Sequence, residues 1–508
     1  MTNDTETIAS VMSRGGRPAN SRREIKIIDT TLRDGHQSLW ATRMRTDHIE
    51  QLAPEFDTVG YEHVDLVAPI QFDVAVRYLK EDPWERVRRA HELAPNTKFR
   101  ALIRSRNIAA FDFLPDDVIM AWIERLYANG FRVIGSFDGL NDIDNIAPGL
   151  RRAKELGAET FGAVSFSESP VHTDELFVSK AQELIEKADV DRIMLKDAGG
   201  LLTPERIRTL VPALKAVIGD RPLEVHTHSL TGLAPLVCLE SAEAGADSLH
   251  LSVAPLAAGN AQPSVQNVIR DLRALGYTVN LDDEKIDQIS DRIRLIADTE
   301  DKPLGEPVEY NGMHFMHQTP GGMLSNFRSQ LATAGLGDRY EELLLEIARV
   351  RAELAYPIMI TPFAQFVGTQ AAMNVSTGER YKMVPNEIKK YALGYYGDLL
   401  ADIDPELRQK IIDNGASDIP LDPSEPEPML DKIATQYPDE SIEFHLLRAM
   451  FAGGQVDEMK KTVAAGGNPD EIPAPLLGIV KSLHENGQPG INSLTAGDLQ
   501  INILKGEN

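Results

Sequence analysis

Between Glu24 and Leu281 short apolar runs recur about every thirty residues, and stretches with helical periodicity lie between them. The runs are Ile25–Ile28, His63–Val67, Phe99–Ile103, Arg132–Phe137, Thr160–Phe166, Arg192–Leu195, Leu223–His226 and Ser248–Val253. Helical segments include Pro115–Asn129, Ser179–Ala188, Pro204–Val217 and Leu233–Ala244. Strand alternating with helix predicts a parallel sheet, and eight such units close into a TIM (β/α)8 barrel. An open doubly wound sheet would carry a glycine-rich phosphate turn after its first strand, and this chain has none there. The expected fold class is therefore α/β, a TIM barrel over residues 24–282.

Beyond Asp282 the pattern changes to long amphipathic helices: Asp287–Thr299, Tyr340–Ala355, Pro385–Gly397 and Pro405–Asp413. Residues 283–414 read as a mainly helical domain, with Tyr310–Gln330 and Tyr356–Asn374 as functional loops carrying helix starts. Residues 415–428 are acidic and proline-rich and read as a linker. Residues 429–508 carry no usable motif. Residues 1–23 lack an apolar signal core and read as a flexible tail. A net charge of −25 argues against nucleic acid and anionic membrane as partners. The single cysteine, Cys238, excludes an intramolecular disulfide and suits a reducing cytoplasm, and no apolar stretch approaches the length of a membrane span.

The polar bursts sit at strand ends, where a barrel keeps its chemistry. The first follows Ile25–Ile28 and supplies Asp29, Arg33, Asp34 and Gln37. His226 and His228 are two apart at a strand end, so their imidazoles project to one side and can share an ion such as zinc, manganese or cobalt. Alone such a pair is also what solvated or core histidines give; with Asp34 and Lys196 at other strand ends it becomes a metal candidate. Lys196 is a ligand only as a neutral amine or as a carbamate; otherwise it pairs with Asp34 or Asp197. Arg33 and Arg104 can fork onto a substrate carboxylate, and Gln37 can donate to a neighbouring carbonyl.

Six motifs in order carry a resemblance: DTTLRDGHQSLWATRMRT from Asp29, FDVAVRYLKEDPWERVR from Phe72, LKDAGGLLTP from Leu195, HTHSLTG from His226, HQTPGGMLSN from His317 and ITPFAQFVGTQAAMNV from Ile360. From about Glu24 to Asp404 the chain resembles the carboxyltransferase component of biotin-dependent 2-oxoacid enzymes: pyruvate carboxylase, the oxaloacetate decarboxylase α subunit and the transcarboxylase central subunit. The resemblance implies a barrel with a helical funnel domain on its top. It implies a divalent metal on Asp34, a carboxylated Lys196, His226 and His228. Gln37 and Arg104 would hold the 2-oxoacid, Arg33 would support the site, and Thr361 would relay a proton in a dry pocket. Asp73, Phe111 and Ala364 fall at the family's biotin pocket. A homodimer is carried over in the same way.

This sequence departs from the family on the biotin side. The second strand runs on as Val67-Ala68-Pro69-Ile70-Gln71-Phe72-Asp73 where the family commonly has Trp-Gly-Gly-Ala-Thr-Phe-Asp. Phe111 lacks a tyrosine hydroxyl, Ala364 stands for a serine and Ser229 for an aspartate. No Ala-Met-Lys-Met biotinylation site occurs, and Arg448–Phe451, RAMF, has no lysine. The expectation is biotin in trans, on a separate carrier chain, with a biotin carboxylase or membrane decarboxylase subunit as further partner. The alternative is a biotin-independent metal-dependent C–C lyase or aldolase, as in 3-hydroxy-3-methylglutaryl-CoA lyase, for which Gly259-Asn260 is reminiscent of an extra ligand. A scaffold subunit with a decayed site is the non-enzymatic reading.

Overall fold

The computed structural model describes residues 22–110, 112–320 and 337–466, and two short strands, Ser493–Ala496 and Leu499–Asn502, which pair antiparallel. Phe111, most of the expected tail and part of the His317 motif lie outside the described residues.

Eight parallel strands close into a barrel in chain order. They are β1 (Lys26–Asp29), β2 (His63–Val67), β3 (Phe99–Arg104), β4 (Val133–Phe137), β5 (Glu159–Ser165), β6 (Arg192–Asp197), β7 (Leu223–Thr227) and β8 (Ser248–Leu251). The barrel closes where Lys26 to Asp29 pair with Ser248 to Leu251. A helix follows each strand, and its start is written locally. Thr203 caps the Leu202–Pro204 junction by accepting from the Arg206 amide, and Pro204 opens the helix Pro204–Ile218. Asp82 caps the helix Pro83–Leu93 in the same way. Phe72, Trp84 and Trp122 pack edge to face with centroids 4.6–5.0 Å apart, fixing the short helix Pro69–Val74 after β2.

The helix Asp283–Glu300 lays Ile286, Ile289, Ile293 and Ile296 into the barrel's core. A second core is built by the helices Tyr340–Glu353, Phe363–Thr377 and Asn386–Leu393, and Leu140 from the loop after β4 joins it. That contact seats the helical lobe on the C-terminal end of the barrel. Arg351 donates to Ser167 at 2.8 Å, and Ser167 donates to Gln318 at 2.9 Å.

Past the acidic stretch the chain returns to the barrel flank as the helices Leu430–Gln436, Ile442–Met450 and Gly453–Ala464. Leu446, Leu447 and Val456 enter the barrel's core, and Glu443 accepts from Arg88 at 3.0 Å and from Asn129 at 2.7 Å. The RAMF tetrapeptide closes the helix Ile442–Met450, with Arg448 held between Glu440 and Asp457. At the other end of the chain Arg22 pairs with Glu243 at 2.6 Å. Among the described residues no helix is long and apolar enough to cross a membrane.

His172 gives a pH signature. Burial, with Arg351 and then Arg206 nearby, lowers its imidazole to about 3. Below pH 6.5 the unfolded chain takes up a proton that the folded chain refuses, so stability falls as pH drops from 6.5 towards 3. At pH 5 this should cost about 2 kcal/mol. Between pH 7 and 5 the unfolding free energy of the natural protein should fall by about that much more than that of His172→Gln. Equal losses would remove His172 from the acid limb.

Candidate active site

The polar burst after β1 folds into helical turns, Thr31–Gly35 and His36–Leu39. Asp29 starts them by accepting from the Thr31 amide at 2.8 Å and its hydroxyl at 2.9 Å. The Thr30 carbonyl then gathers the amides of Arg33, Asp34 and Gly35. Gly35 must be glycine, because a Cβ there would stand 2.8 Å from the Leu256 carbonyl oxygen. This turn aims Asp34 inward over the barrel mouth.

Asp34 Oδ2 lies 3.2 Å from His226 Nε2 and 3.3 Å from His228 Nε2, and the two Nε2 atoms are 3.3 Å apart. The edge of a tetrahedral shell with bonds of ~2.1 Å is about 3.4 Å, so these three atoms fit three corners around a small divalent ion. Together they form the His/Asp group among the described residues whose ligand atoms could hold a metal. The Gln262 amide nitrogen lies 3.1, 3.3 and 2.9 Å from the same three atoms. An NH2 group has two protons for three lone pairs, so the spot is acceptor-rich and suits a cation.

The electrostatics keep the donors in their ligating forms. Burial works to raise the Asp34 carboxyl, but Arg33 overrides it and holds Asp34 well below the usual range. Burial, then the Lys196 charge, keeps the His226 imidazole far below its ordinary value and so neutral. The His228 Nδ1 donates to the Asn260 carbonyl at 2.6 Å, which leaves Nε2 with its lone pair. Asn260 therefore meets the histidine pair through its backbone.

Lys196 Nζ reaches to 3.5 Å from His226 Nε2. Among the described residues no carboxylate lies within 4.0 Å of Nζ. Asp197 accepts instead from the amides of Leu201 and Leu202 and from the Thr227 hydroxyl at 2.8–2.9 Å. Burial, then Arg33, lowers the Lys196 ammonium to about 8.

Arg33 is bracketed by Asp34 and Asp65, at 2.7 Å from each, so it braces the ligand carboxylate. Arg104, at the end of β3, differs. Its Nη2 donates to the Ala110 carbonyl at 2.6 Å, its Nε has no partner among the described residues, and burial lowers it to about 10. Gln37 lies beside it on the wall of a 290 Å³ cavity shared by Arg33, Asp34, Arg104, Lys196, His228 and Thr361. Ala68, Ile70, Leu102, Phe137 and Ile360 make the cavity's apolar side. Asp73 and Ala364 are not on this wall: Asp73 pairs with Arg77 at 3.2 Å and Ala364 is buried in the helical core. Phe111 lies outside the described residues.

Sequence reasoning missed Gln262 and Gln71. Gln71 accepts from the Ala68 amide at 2.8 Å and donates to the Arg33 carbonyl at 3.0 Å and to Gln37 at 3.4 Å, tying the β2 loop to the β1 turn. The available signal was weak: Gln71 is an amide residue soon after β2, and Gln262 stands in the long loop after β8.

Thr361 is seated by its neighbour. Phe363 fills the space over Gly139, where a Cβ would stand 2.3 Å from the ring. Gly139→Ala should cost about 1–3 kcal/mol of stability by overpacking. It should also lower turnover several-fold by displacing Thr361, with metal content unchanged. Assay, metal analysis and thermal unfolding check this together.

Comparison with known proteins is consistent with this geometry. Residues 315–475 match the conserved carboxylase domain family, and residues 141–293 match the HMGL-like family. A pyruvate carboxylase subunit of Methanocaldococcus jannaschii is 40% identical over 403 residues, covering 79% of this chain and 70% of that protein. The 2-oxoglutarate carboxylase large subunit of Hydrogenobacter thermophilus is 36% identical over 78% of this chain and 60% of its own length. The methylmalonyl-CoA carboxyltransferase 5S subunit of Propionibacterium freudenreichii is 35% identical over 76% of each. The carboxyl transferase domain of Rhizobium etli pyruvate carboxylase, solved with pyruvate, superposes with a TM-score of 0.80 at 24% identity, over 90% of this chain and 80% of that one. At that identity the likeness speaks to fold.

Proposed function

This chain belongs to the family of biotin-dependent 2-oxoacid carboxyltransferases, and from that premise we propose that its cavity transfers the carboxyl group of the pyruvate/oxaloacetate couple. The observation that carries this reading is the convergence of the Asp34, His226 and His228 donors at a cavity that Arg104 also lines.

Asp34, His226 and His228, with Lys196 as its carbamate, would hold a divalent zinc, manganese or cobalt ion. Geometry supports the carbamate. Lys196 points at the donor trio without a carboxylate partner among the described residues, and an ammonium there would repel the ion. Two anionic ligands, Asp34 and the carbamate, offset a 2+ charge. When bound, the ion supplies Lewis-acid stabilisation to the negative charge that develops on the substrate's 2-oxo oxygen.

The chain's own residues do the rest. The Arg104 guanidinium binds the substrate carboxylate from the cavity wall, and the Gln37 amide donates to the same ligand. The apolar side, Ala68 to Ile360, faces the substrate methyl group and excludes water from it. Thr361 Oγ1 takes a proton from that methyl carbon while its own hydroxyl proton passes to the ureido nitrogen of the carrier's biotin, which has given up its carboxyl group. The Arg104 guanidinium suits a single retained carboxylate, since Arg33 is already taken up by Asp34 and Asp65. Biotin would come on a separate chain, in keeping with relatives that are themselves single subunits of larger carboxylases.

The test is metal content against activity. Purified protein should hold one divalent ion per chain; chelation should abolish oxaloacetate decarboxylation, and zinc, manganese or cobalt should restore it. Full activity after chelation would overturn the reading. The lyase alternative has less support, because the relatives matched over most of the chain are carboxyltransferases or carboxylase subunits.

A further inference from the structure

Beneath the donor trio, inside the barrel, His226 is continued by two buried side chains, His250 and Glu224, that the proposed reaction does not use. His226 Nδ1, the nitrogen facing away from the trio, is 3.2 Å from His250 Nδ1. His250 Nε2 is 3.1 Å from Glu224 Oε2. All three residues are fully buried, so their polar atoms must satisfy one another. His250 lies on β8 and Glu224 on β7, two residues before His226, so the closed barrel brings them together.

The proton positions follow from one end. Glu224 is held between two guanidinium groups, those of Arg100 and Arg192, and so stands as a carboxylate. Arg100 donates to Oε2 at 2.9 Å, and Arg192 Nε donates to Oε1. A carboxylate accepts only, so His250 Nε2 must carry the proton that meets it. A neutral His250 then has a bare Nδ1, which must accept from His226 Nδ1–H. That leaves His226 Nε2 with its lone pair aimed at Asp34, His228 and Gln262. Every hydrogen bond in the row is satisfied by one set of tautomers, and that set is the metal-ready one.

We infer that Glu224 and His250 are positioning residues that fix the His226 tautomer and thereby set the affinity of the site for a divalent cation. This rests on the metal-centre reading above. A carboxylate reaching a ligand through one histidine commonly strengthens metal binding about 10–100-fold; here the carboxylate acts through two histidines in series.

The test uses Co2+ titration of the full chain, read by chelator competition and by the visible absorption of the bound ion. His250→Leu removes the acceptor and should weaken Co2+ binding about tenfold or more, with a changed absorption spectrum. His250→Asn places an amide oxygen near the Nδ1 position, can still accept from His226, and should stay within about threefold of the natural protein. Co2+ affinity unchanged in a folded Leu variant, or an Asn variant as weak as the Leu one, overturns the inference. Should the Leu variant not fold, histidine-15N NMR of the zinc-loaded natural protein decides: His226 as Nδ1–H with His250 as Nε2–H supports it, and the opposite pair overturns it. If the natural protein binds no Co2+ at all, the metal-centre reading fails and takes this inference with it. If it binds and the Leu variant binds equally, only this inference fails.

Discussion

Replacing His226 with alanine should empty the site of its divalent ion and lower carboxyl-transfer or decarboxylation turnover roughly a thousandfold, since Lewis-acid stabilisation is worth several kcal/mol and each 1.36 kcal/mol is a factor of ten. Two effects add. The variant loses a ligand atom lying 3.2 Å from Asp34 Oδ2 and 3.3 Å from His228 Nε2, and it leaves His250 Nδ1 facing a cavity. His226 is fully buried, so the fold must be checked by circular dichroism alongside metal analysis. A folded variant that keeps both its ion and its turnover would remove His226 from the ligand set.

Thr361→Ala should lower kcat about a hundredfold while leaving metal content and the KM for the 2-oxoacid nearly unchanged, as expected for a lost proton-transfer group. The residue is exposed on the cavity wall and sits just before the helix Phe363–Thr377, so its side chain can be removed without a packing cost. Arg104→Ala provides the contrast, because its loss should appear first in KM. Steady-state kinetics on the two variants separates the roles. A Thr361→Ala enzyme with ordinary kcat would assign the proton transfer elsewhere.

The barrel was legible because each strand is an apolar run ending in polar residues, and all eight strands lie within a residue or two of their predicted places. β6 runs further than expected, to Asp197, so that Lys196 stands on its strand as His226 does on β7, which is longer by Thr227 alone. The polar burst after β1 folds into helical turns, since one carbonyl, that of Thr30, collects three amides. Phe363–Thr377 carries no amphipathic stripe: it is buried on several sides, with Phe363, Ala364, Val367, Ala371 and Val375 in one core. Periodicity cannot flag such a helix, and it read as a loop.

At the site the legible part was the meeting of Asp34, His226 and His228, whose spacing and strand-end placement carry a geometric meaning. Gln71, Gln262, Glu224 and His250 were not legible. Their roles depend on which side chains the closed barrel sets within 3 Å or so of them, and no spacing along the chain encodes that. Gln71 shows the point: it stands where the sequence leaves the family pattern, and it rebuilds the support of Gln37 and Arg33 from the other side.

The most direct measurement is oxaloacetate decarboxylation by the metal-loaded protein with and without free biotin. A chelator-sensitive rate that rises when biotin is added is the expected result, and it would place carboxyl transfer at the cavity between Asp34 and Thr361. Turnover that is indifferent to both chelator and biotin would contradict it.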